Sequence, residues 1–276
     1  MRQNHKTIER HFGNFFAFES MPRRCRQCHG VTPMIHVDSC PHCKLRFHRS
    51  TPSLTRLSPH PTSCLYKTLC GEYLSALKWQ ENYFDRSQNR CYCSRCYPSA
   101  QRDTYEVEGY FSVIPRGWCR FGLRVDQVRA QIDQIWNKWI VTYHGTSTIA
   151  AQSIVAHRQF LLPGDRCIDG SMIAIPRHHI KDKNEIYTSP SIAYSSHPCY
   201  CPTHRFRSRI TNKTYEAKLV LQCRQKPGTF NVQGETIGAG RQRLCRFIPN
   251  DQIEFYTTIR AAIVIYGVLI ELTEIK

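Results

Sequence analysis

Cysteine is the residue type whose spacing speaks first. Cys25-x2-Cys28 and Cys40-x2-Cys43 are two thiol pairs separated by eleven residues. Zn²⁺ takes four soft ligands in a tetrahedron, and each C-x2-C turn presents two thiolates on one knuckle, so two such turns close a structural site. The stretch between them is long enough for a small β-ribbon but has no core of its own. Zinc would then supply most of its folding free energy, on the order of 10 kcal/mol for such modules. Two redox dithiols are the alternative, and the lack of a surrounding βαβ pattern speaks against them. Cys91-x-Cys93-x2-Cys96 offers three more thiols within six residues. That set needs a fourth ligand, for which Cys70 and Cys64 are the candidates, and Cys70 is assigned here. His197-x-Cys199-x-Cys201-x2-His204 reads as a loop packed around its two prolines rather than a metal site. Cys119, Cys167, Cys223 and Cys245 lie in apolar or mixed contexts and read as small buried hydrophobes.

The second chemically suggestive set lies in the other half of the chain. Tyr143-His144-Gly145-Thr146 follows an apolar run, and Ile186-Tyr187-Thr188-Ser189 comes 43 residues later. Ser191-Ile192-Ala193-Tyr194 follows at once, and Gln252-Ile253-Glu254 precedes the last apolar run. Alone, each fragment is unremarkable: a His after a strand is usually a core or cap residue, a Tyr a core aromatic, a Glu a solvated charge. Their order and spacing carry the information. This series resembles the His-Tyr-Glu signature of the poly(ADP-ribose) polymerase-like ADP-ribosyltransferases. The segments GWCRFGL (117–123), LPGD (162–165), YTSPS (187–191) and LQCRQKPGT (221–229) are similar to the catalytic part found with Neuralized-type proteins. The resemblance spans residues 105–276.

The resemblance implies NAD⁺ as co-substrate and ADP-ribose, as a single unit, as the group transferred to a protein or nucleic-acid acceptor. Cleaving the nicotinamide–ribose bond passes through an oxocarbenium-like state, so such an enzyme must hold NAD⁺ bent and stabilise positive charge on the ribose. By resemblance, His144 bonds the adenosine ribose, and Gly145 and Ser191 hold the nicotinamide carboxamide. Tyr187 and Tyr194 sandwich the nicotinamide ring, and Glu254 takes the ribose 2′-hydroxyl and orients the nucleophile. Thr146 completes the strand-to-helix turn beside the cofactor. By the same resemblance, residues 161–165 and the His178-His179-Ile180 segment form a flap over the adenosine half, Arg177 is a candidate for the pyrophosphate, and residues 223–250 face the acceptor. The large helical regulatory domain of the DNA-dependent polymerases has only one helix, 124–139, in its place, which implies an unshielded site.

These residues need elements to position them. Arg124–Trp139 places Val125, Val128, Ile132, Ile135, Trp136 and Trp139 near helical spacing, with Asp126 as N-cap, and so predicts one amphipathic helix. Trp139–Tyr143, Glu216–Gln222 and Ala261–Leu272 read as buried strands, and Ser147–His157 as a short helix. The expected class is α+β: a mixed two-sheet ADP-ribosyltransferase fold behind an N-terminal zinc-ribbon-like, cysteine-rich region. The expected division is a zinc-ribbon-like module at 1–50, a linker with the second cysteine cluster at 51–104, and a catalytic domain at 105–276.

Composition limits the remaining possibilities. Thirty-eight Lys+Arg against 21 Asp+Glu give a formal charge of +17, which favours anionic partners such as nucleotide, DNA or RNA. The polar N-terminus predicts no secretory leader, so the thiols are expected to be reduced, in cytoplasm or nucleus. The longest apolar run is 12 residues, short of a membrane span, and no membrane is expected among the partners. The competing class is a zinc-dependent nucleic-acid-binding protein whose transferase-like half is an inactive scaffold. The arginines and lysines around Cys25–Cys43 favour it; an intact His-Tyr-Glu set disfavours it.

Overall fold

The two longest Val/Ile/Leu-rich runs become the central strands of the main sheet. A computed structural model describes residues 64–173 and 184–275, together with the backbone of Arg23–Arg24 and Val31–Thr32. Strands β1 (Arg23–Arg24) and β2 (Val31–Thr32) pair antiparallel. They belong to a unit comprising Met1–His60, and a second unit runs from Pro61 to Lys276. The expected division point between 104 and 105 lies within the second unit, and the strand carrying Cys91 is part of the main sheet.

Along the second unit the strands are β3 (Arg90–Cys91), β4 (Thr104–Val107), β5 (Tyr110–Val113), β6 (Cys119–Gly122) and β7 (Ile140–Gly145). They continue with β8 (Ile186–Thr188), β9 (His204–Arg207), β10 (Thr214–Gln225), β11 (Asn231–Gln233), β12 (Glu254–Thr257) and β13 (Ile263–Glu274). The helices are α1 (Leu65–Ala76), α2 (Gln127–Ile132), α3 (Ile135–Lys138), α4 (Thr148–His157) and α5 (Ile192–Ser195). The main sheet runs β3-β6-β13-β10-β7, with β9 also on β10, and a smaller sheet runs β11-β12-β8. All of these pairings are antiparallel, so the second unit is a mixed α+β assembly. β4 and β5 form a separate hairpin.

Both faces of the main sheet are covered, which is why β10 and β13 read as nearly continuous apolar runs. On one face α1 and α4 bury Leu69, Tyr73, Ile154 and Val155 against Leu219, Leu221 and Ile270. On the other, Trp118, Tyr143, Ile192, Val220 and Leu269 pack together beneath α5 and the loop after β3. The sheets meet at β7: Tyr143 and Ser189 form a two-way backbone bridge at 2.8 and 2.9 Å. A buried hydrogen bond from Thr188 Oγ1 to Gln225 Oε1, 2.6 Å, joins them a second time.

The helix expected over 124–139 is two short helices. Asp126 caps α2 as anticipated, accepting from the Arg129 amide at 3.0 Å. Gln134 then adopts a left-handed conformation, φ 51°, which no continuous α-helix tolerates. The break turns the chain so that Ala130, Ile135 and Trp139 are buried while Val128 and Ile132 are 67% and 76% exposed. The Arg129 guanidinium lies over the Trp139 ring and donates to the Ala261 carbonyl, holding that geometry.

Candidate functional site

Strand alternation assembles the polar wall of the small sheet. Gln233 stands opposite Glu254, and Tyr256 opposite both Asn231 and Tyr187. Since alternate residues share a face, Gln233, Glu254, Tyr256 and Tyr187 lie on one side, while Phe255 turns into an apolar cluster on the other. Glu254 is a carboxylate only 3% exposed, and its oxygens are fully engaged. Oε2 accepts from Gln233 Nε2 at 2.7 Å and from Thr236 Oγ1 at 3.2 Å. Oε1 accepts from the Tyr194 hydroxyl at 3.1 Å and from Tyr200 at 3.5 Å. Burying a charge this deeply is tolerable only because so many donors converge on it.

Tyr194 comes from α5 and is anchored by Cys245, Ile248 and Ile253, with its hydroxyl also receiving the Thr236 amide at 3.0 Å. Tyr187 comes from β8, and its ring stands 6.2 Å from Tyr256 with an interplanar angle of 35°. Its hydroxyl donates to Glu185 at 2.6 Å. Burial, that hydrogen bond and the charges of Glu185 and Glu254 together push the phenol well above its ordinary range, so it stays protonated.

His144 lies at the seam between the sheets. Its Nδ1 is 2.7 Å from the Tyr187 carbonyl, which can only accept, so Nδ1 carries the proton and Nε2 is left as an acceptor. The ring meets Phe160 edge-on at 4.9 Å. Burial lowers the imidazole pKa, with the Tyr187 bond acting in the opposite direction. A neutral ring with one fixed donor and one acceptor is suited to receiving a ligand hydroxyl.

Packing alone requires a glycine at 145. A Cβ there would strike the Ser195 carbonyl, and Tyr200 Cβ lies 3.0 Å away. The same close approach lets Ser195 Oγ donate to the Tyr143 carbonyl at 3.0 Å, locking α5 onto β7. Ser191 is fully buried, and its hydroxyl has no hydrogen-bond partner. Such an orphan is costly and demands an explanation. Thr146 does not cap the following helix; Ser147 does, accepting from Ala150 N at 3.2 Å. Arg177, His178 and His179 lie outside the described residues.

The structure thus gathers His144, Tyr187, Tyr194 and Glu254, distant in sequence, around one seam. It adds three residues that sequence reasoning passed over: Gln233, Thr236 and Tyr200. Gln233 could have been found from its pairing with Glu254 only once the strands were known. Tyr200 sat in the HPCYCPTH segment that had been weighed for metal. In that segment Cys201 is buried, 3.1 Å from the Leu219 carbonyl, and Cys199 is exposed, in keeping with a packed loop.

A second site is built from thiols. Cys64, Cys91, Cys93 and Cys96 hold their Sγ atoms within 4.8 Å of one another. Cys64 lies 3.7 Å from Cys91 and 3.6 Å from Cys93. Tetrahedral zinc with bonds of about 2.3 Å sets its sulfurs about 3.8 Å apart. These four cysteines can therefore hold one metal ion such as zinc. An iron–sulfur cluster would need its thiolates further apart, around a core of irons and sulfides.

The assignment of Cys70 as fourth ligand is corrected: it is fully buried on the inner face of α1, against Ile270. Cys64, immediately before α1, takes the place. Cys119, Cys167, Cys223 and Cys245 are buried free thiols, as expected. Cys25, Cys28, Cys40 and Cys43 lie outside the described residues. No helix among the described residues is long and apolar enough to cross a membrane. No protein-family model matches the chain.

Proposed function

We propose that the chain is an NAD⁺-dependent ADP-ribosyltransferase of the His-Tyr-Glu type. The observation that carries this reading is the buried Glu254 carboxylate, held by Tyr194, Tyr200, Gln233 and Thr236 on the wall that also bears Tyr187. A buried, oriented anion beside aromatic rings suits a reaction that develops positive charge on a sugar. Further support is His144, whose Nε2 can accept from a ribose hydroxyl, and the orphaned Ser191 hydroxyl, which a carboxamide reaching it would satisfy.

In the reaction, the bond from ribose C1′ to the nicotinamide nitrogen breaks and nicotinamide leaves with the electron pair. An acceptor nucleophile on a protein or nucleic acid then bonds to C1′ and releases its proton. Glu254 takes the neighbouring 2′-hydroxyl in place of its longest donor, Tyr200 at 3.5 Å, and favours the cationic sugar as it forms. Tyr187 and Tyr194 flank the nicotinamide, and Gly145 offers backbone close to it. The two-sheet architecture would then be the transferase fold. Transfer of a single unit is favoured, since nothing in the set requires chain elongation.

The same reading includes structural zinc, held by Cys64, Cys91, Cys93 and Cys96 and, in the N-terminal unit, by Cys25, Cys28, Cys40 and Cys43. The positive charge and the basic residues near the latter set suit a nucleic acid as acceptor or guide. The test is transfer of label from adenylate-labelled NAD⁺ to protein or oligonucleotide. Wild type labels an acceptor with one unit, and His144→Ala and Glu254→Gln do not. Equal labelling by all three removes these residues from the mechanism. If none labels anything while the full chain binds nucleic acid in a salt-dependent way, the inactive-scaffold alternative takes over.

A further inference from the structure

The face of the main sheet turned away from α1 and α4 carries a row of arginines that neither the proposed reaction nor the zinc reading uses. Arg90 on β3 and Arg120 on β6 are direct register partners. Like charges so paired start about 5 Å apart at Cβ and repel, so other contacts must hold them there. Arg120 leans across β13 above Gly267, where a Cβ would lie 2.7 Å from Arg120 Cδ. Beside that glycine the ladder slips: Gln222 faces Gly267 but Cys223 faces Ile265, which leaves Tyr266 unpaired. Such a bulge re-aims a side chain. Tyr266 is brought between two guanidinium groups, Arg120 at 5.2 Å and Arg224 of β10 at 5.6 Å from its ring centroid.

Aromatic rings support the rest of the row as well. Arg224 also lies over the half-buried rings of Trp136, 5.7 Å, and Tyr105, 5.9 Å, and the exposed Arg90 lies over Tyr92, 5.2 Å. Contacts of this kind fix a positive charge in place without neutralising it. Among the described residues Arg90, Arg120 and Arg224 have no acidic partner. Asp103 and Asp133, beside Tyr105 and Trp136 in the chain, are taken by Arg116 and Arg129. Glu106 alternates to the other face of its hairpin from Tyr105. The sheet therefore holds three oriented guanidinium groups that still lack a counter-charge.

We propose that this row is a binding surface for single-stranded nucleic acid, with Arg90, Arg120 and Arg224 on backbone phosphates and the exposed parts of Tyr105 and Trp136 against bases. From β3 to β10 the row crosses three strand-to-strand steps, about 14 Å. That matches about four nucleotides at 3.4 Å each. Guanidinium groups interleaved with aromatic rings suit a strand whose bases are free to stack. A duplex keeps its base faces covered, and an acidic peptide would use the charges but leave the rings idle. The formal charge of +17 favours the same class of partner. The surface lies within the second unit and needs neither NAD⁺ nor zinc.

The experiment titrates the full chain into a fluorescein-labelled oligothymidylate of about 12 nucleotides and reads anisotropy from about 50 to about 200 mM salt. Each phosphate contact adds about 0.7 to the slope of log affinity against log salt. Arg90→Gln with Arg120→Gln lowers that slope by about 1.4 and weakens low-salt binding about tenfold or more. Arg90→Gln alone, at an exposed position that leaves the fold intact, lowers it by about 0.7, and Arg120→Lys keeps the wild-type slope. The control is Arg205→Gln with Arg207→Gln on β9, against the far end of β10, and it leaves both readings unchanged. Equal losses in the control and the Arg90/Arg120 pair overturn the proposal, since the attraction is then spread over the whole surface. No binding of the strand by wild type at low salt overturns it too. Equal affinity for the same strand in a duplex, or tighter binding of polyglutamate that the Arg90/Arg120 pair loses, overturns the choice of partner.

Discussion

At the scale of single residues, the weight falls on Glu254. Its Oε1 faces two tyrosine hydroxyls, which can accept as well as donate, whereas Oε2 faces the Gln233 amide, which can only donate at that contact. Glu254→Gln can therefore turn its new NH₂ towards Tyr194 and Tyr200 and keep the fold. We expect a stability loss of about 1 kcal/mol and a fall in nicotinamide release of about 10²–10³. Thermal melts recorded beside turnover check both; a collapse of the fold would show that the carboxylate is structural. His144 carries the second prediction. Its folded pKa lies below the unfolded value of about 6.5, because burial disfavours the charged ring. The unfolded state then binds more protons, so His144 contributes stability above about pH 6.5 that is lost as pH falls through the folded pKa. Chemical denaturation from pH 7.5 to 5 should show that loss, and His144→Asn should flatten it. The candidate residues that meet at the seam could be picked out in sequence by their order. Their partners were not, because Gln233, Thr236 and Tyr200 reach Glu254 through strand pairing and loop packing that no local pattern records.

At the scale of elements, two short junctions hold the site. Gly145 lets α5 approach β7, and Gly145→Ala should cost about 1–3 kcal/mol or more by driving a methyl into the Ser195 carbonyl. Ser147→Ala, which removes only the cap of α4, should cost about 1 kcal/mol and leave turnover unchanged. Denaturant midpoints and turnover measured on both variants separate the roles; equal activity loss in the two would contradict the distinction. The strands at 139–143, 216–222 and 261–272 were readable from their apolar runs. The break at Gln134 was not, since a left-handed residue within a helical pattern reflects tertiary anchoring by Arg129 and Trp139. The choice between Cys64 and Cys70 was readable in principle. Leu69, Cys70, Tyr73 and Leu74 form the buried face of α1 at helical spacing, which turns Cys70 inward. Cys64 precedes the first turn and remains available to Cys91, Cys93 and Cys96.

At the scale of the whole second unit, the seam between two sheets is where the candidate residues meet. The small sheet has short strands and joins the large one through the Tyr143–Ser189 bridge and the Thr188–Gln225 hydrogen bond. Gln225 is already short of a partner at Nε2, so Thr188→Val would leave both ends of that buried amide unsatisfied. The expected cost is about 1–3 kcal/mol, with a drop in turnover because β8 carries Tyr187. Unchanged activity would mean the seam does not position the site. The change in composition does not mark a change of sheet, for a physical reason. Cysteine content changes near residue 97, but β3 completes the edge of a sheet whose centre lies more than a hundred residues later. The central claim is that this seam binds and cleaves NAD⁺, and nicotinamide release by the zinc-loaded full chain measures it most directly. Steady release from wild type, cut at least about a hundredfold in Glu254→Gln while the fold persists, is the predicted result. Absence of release from the folded wild type, or release that the Glu254 variant matches, would contradict it.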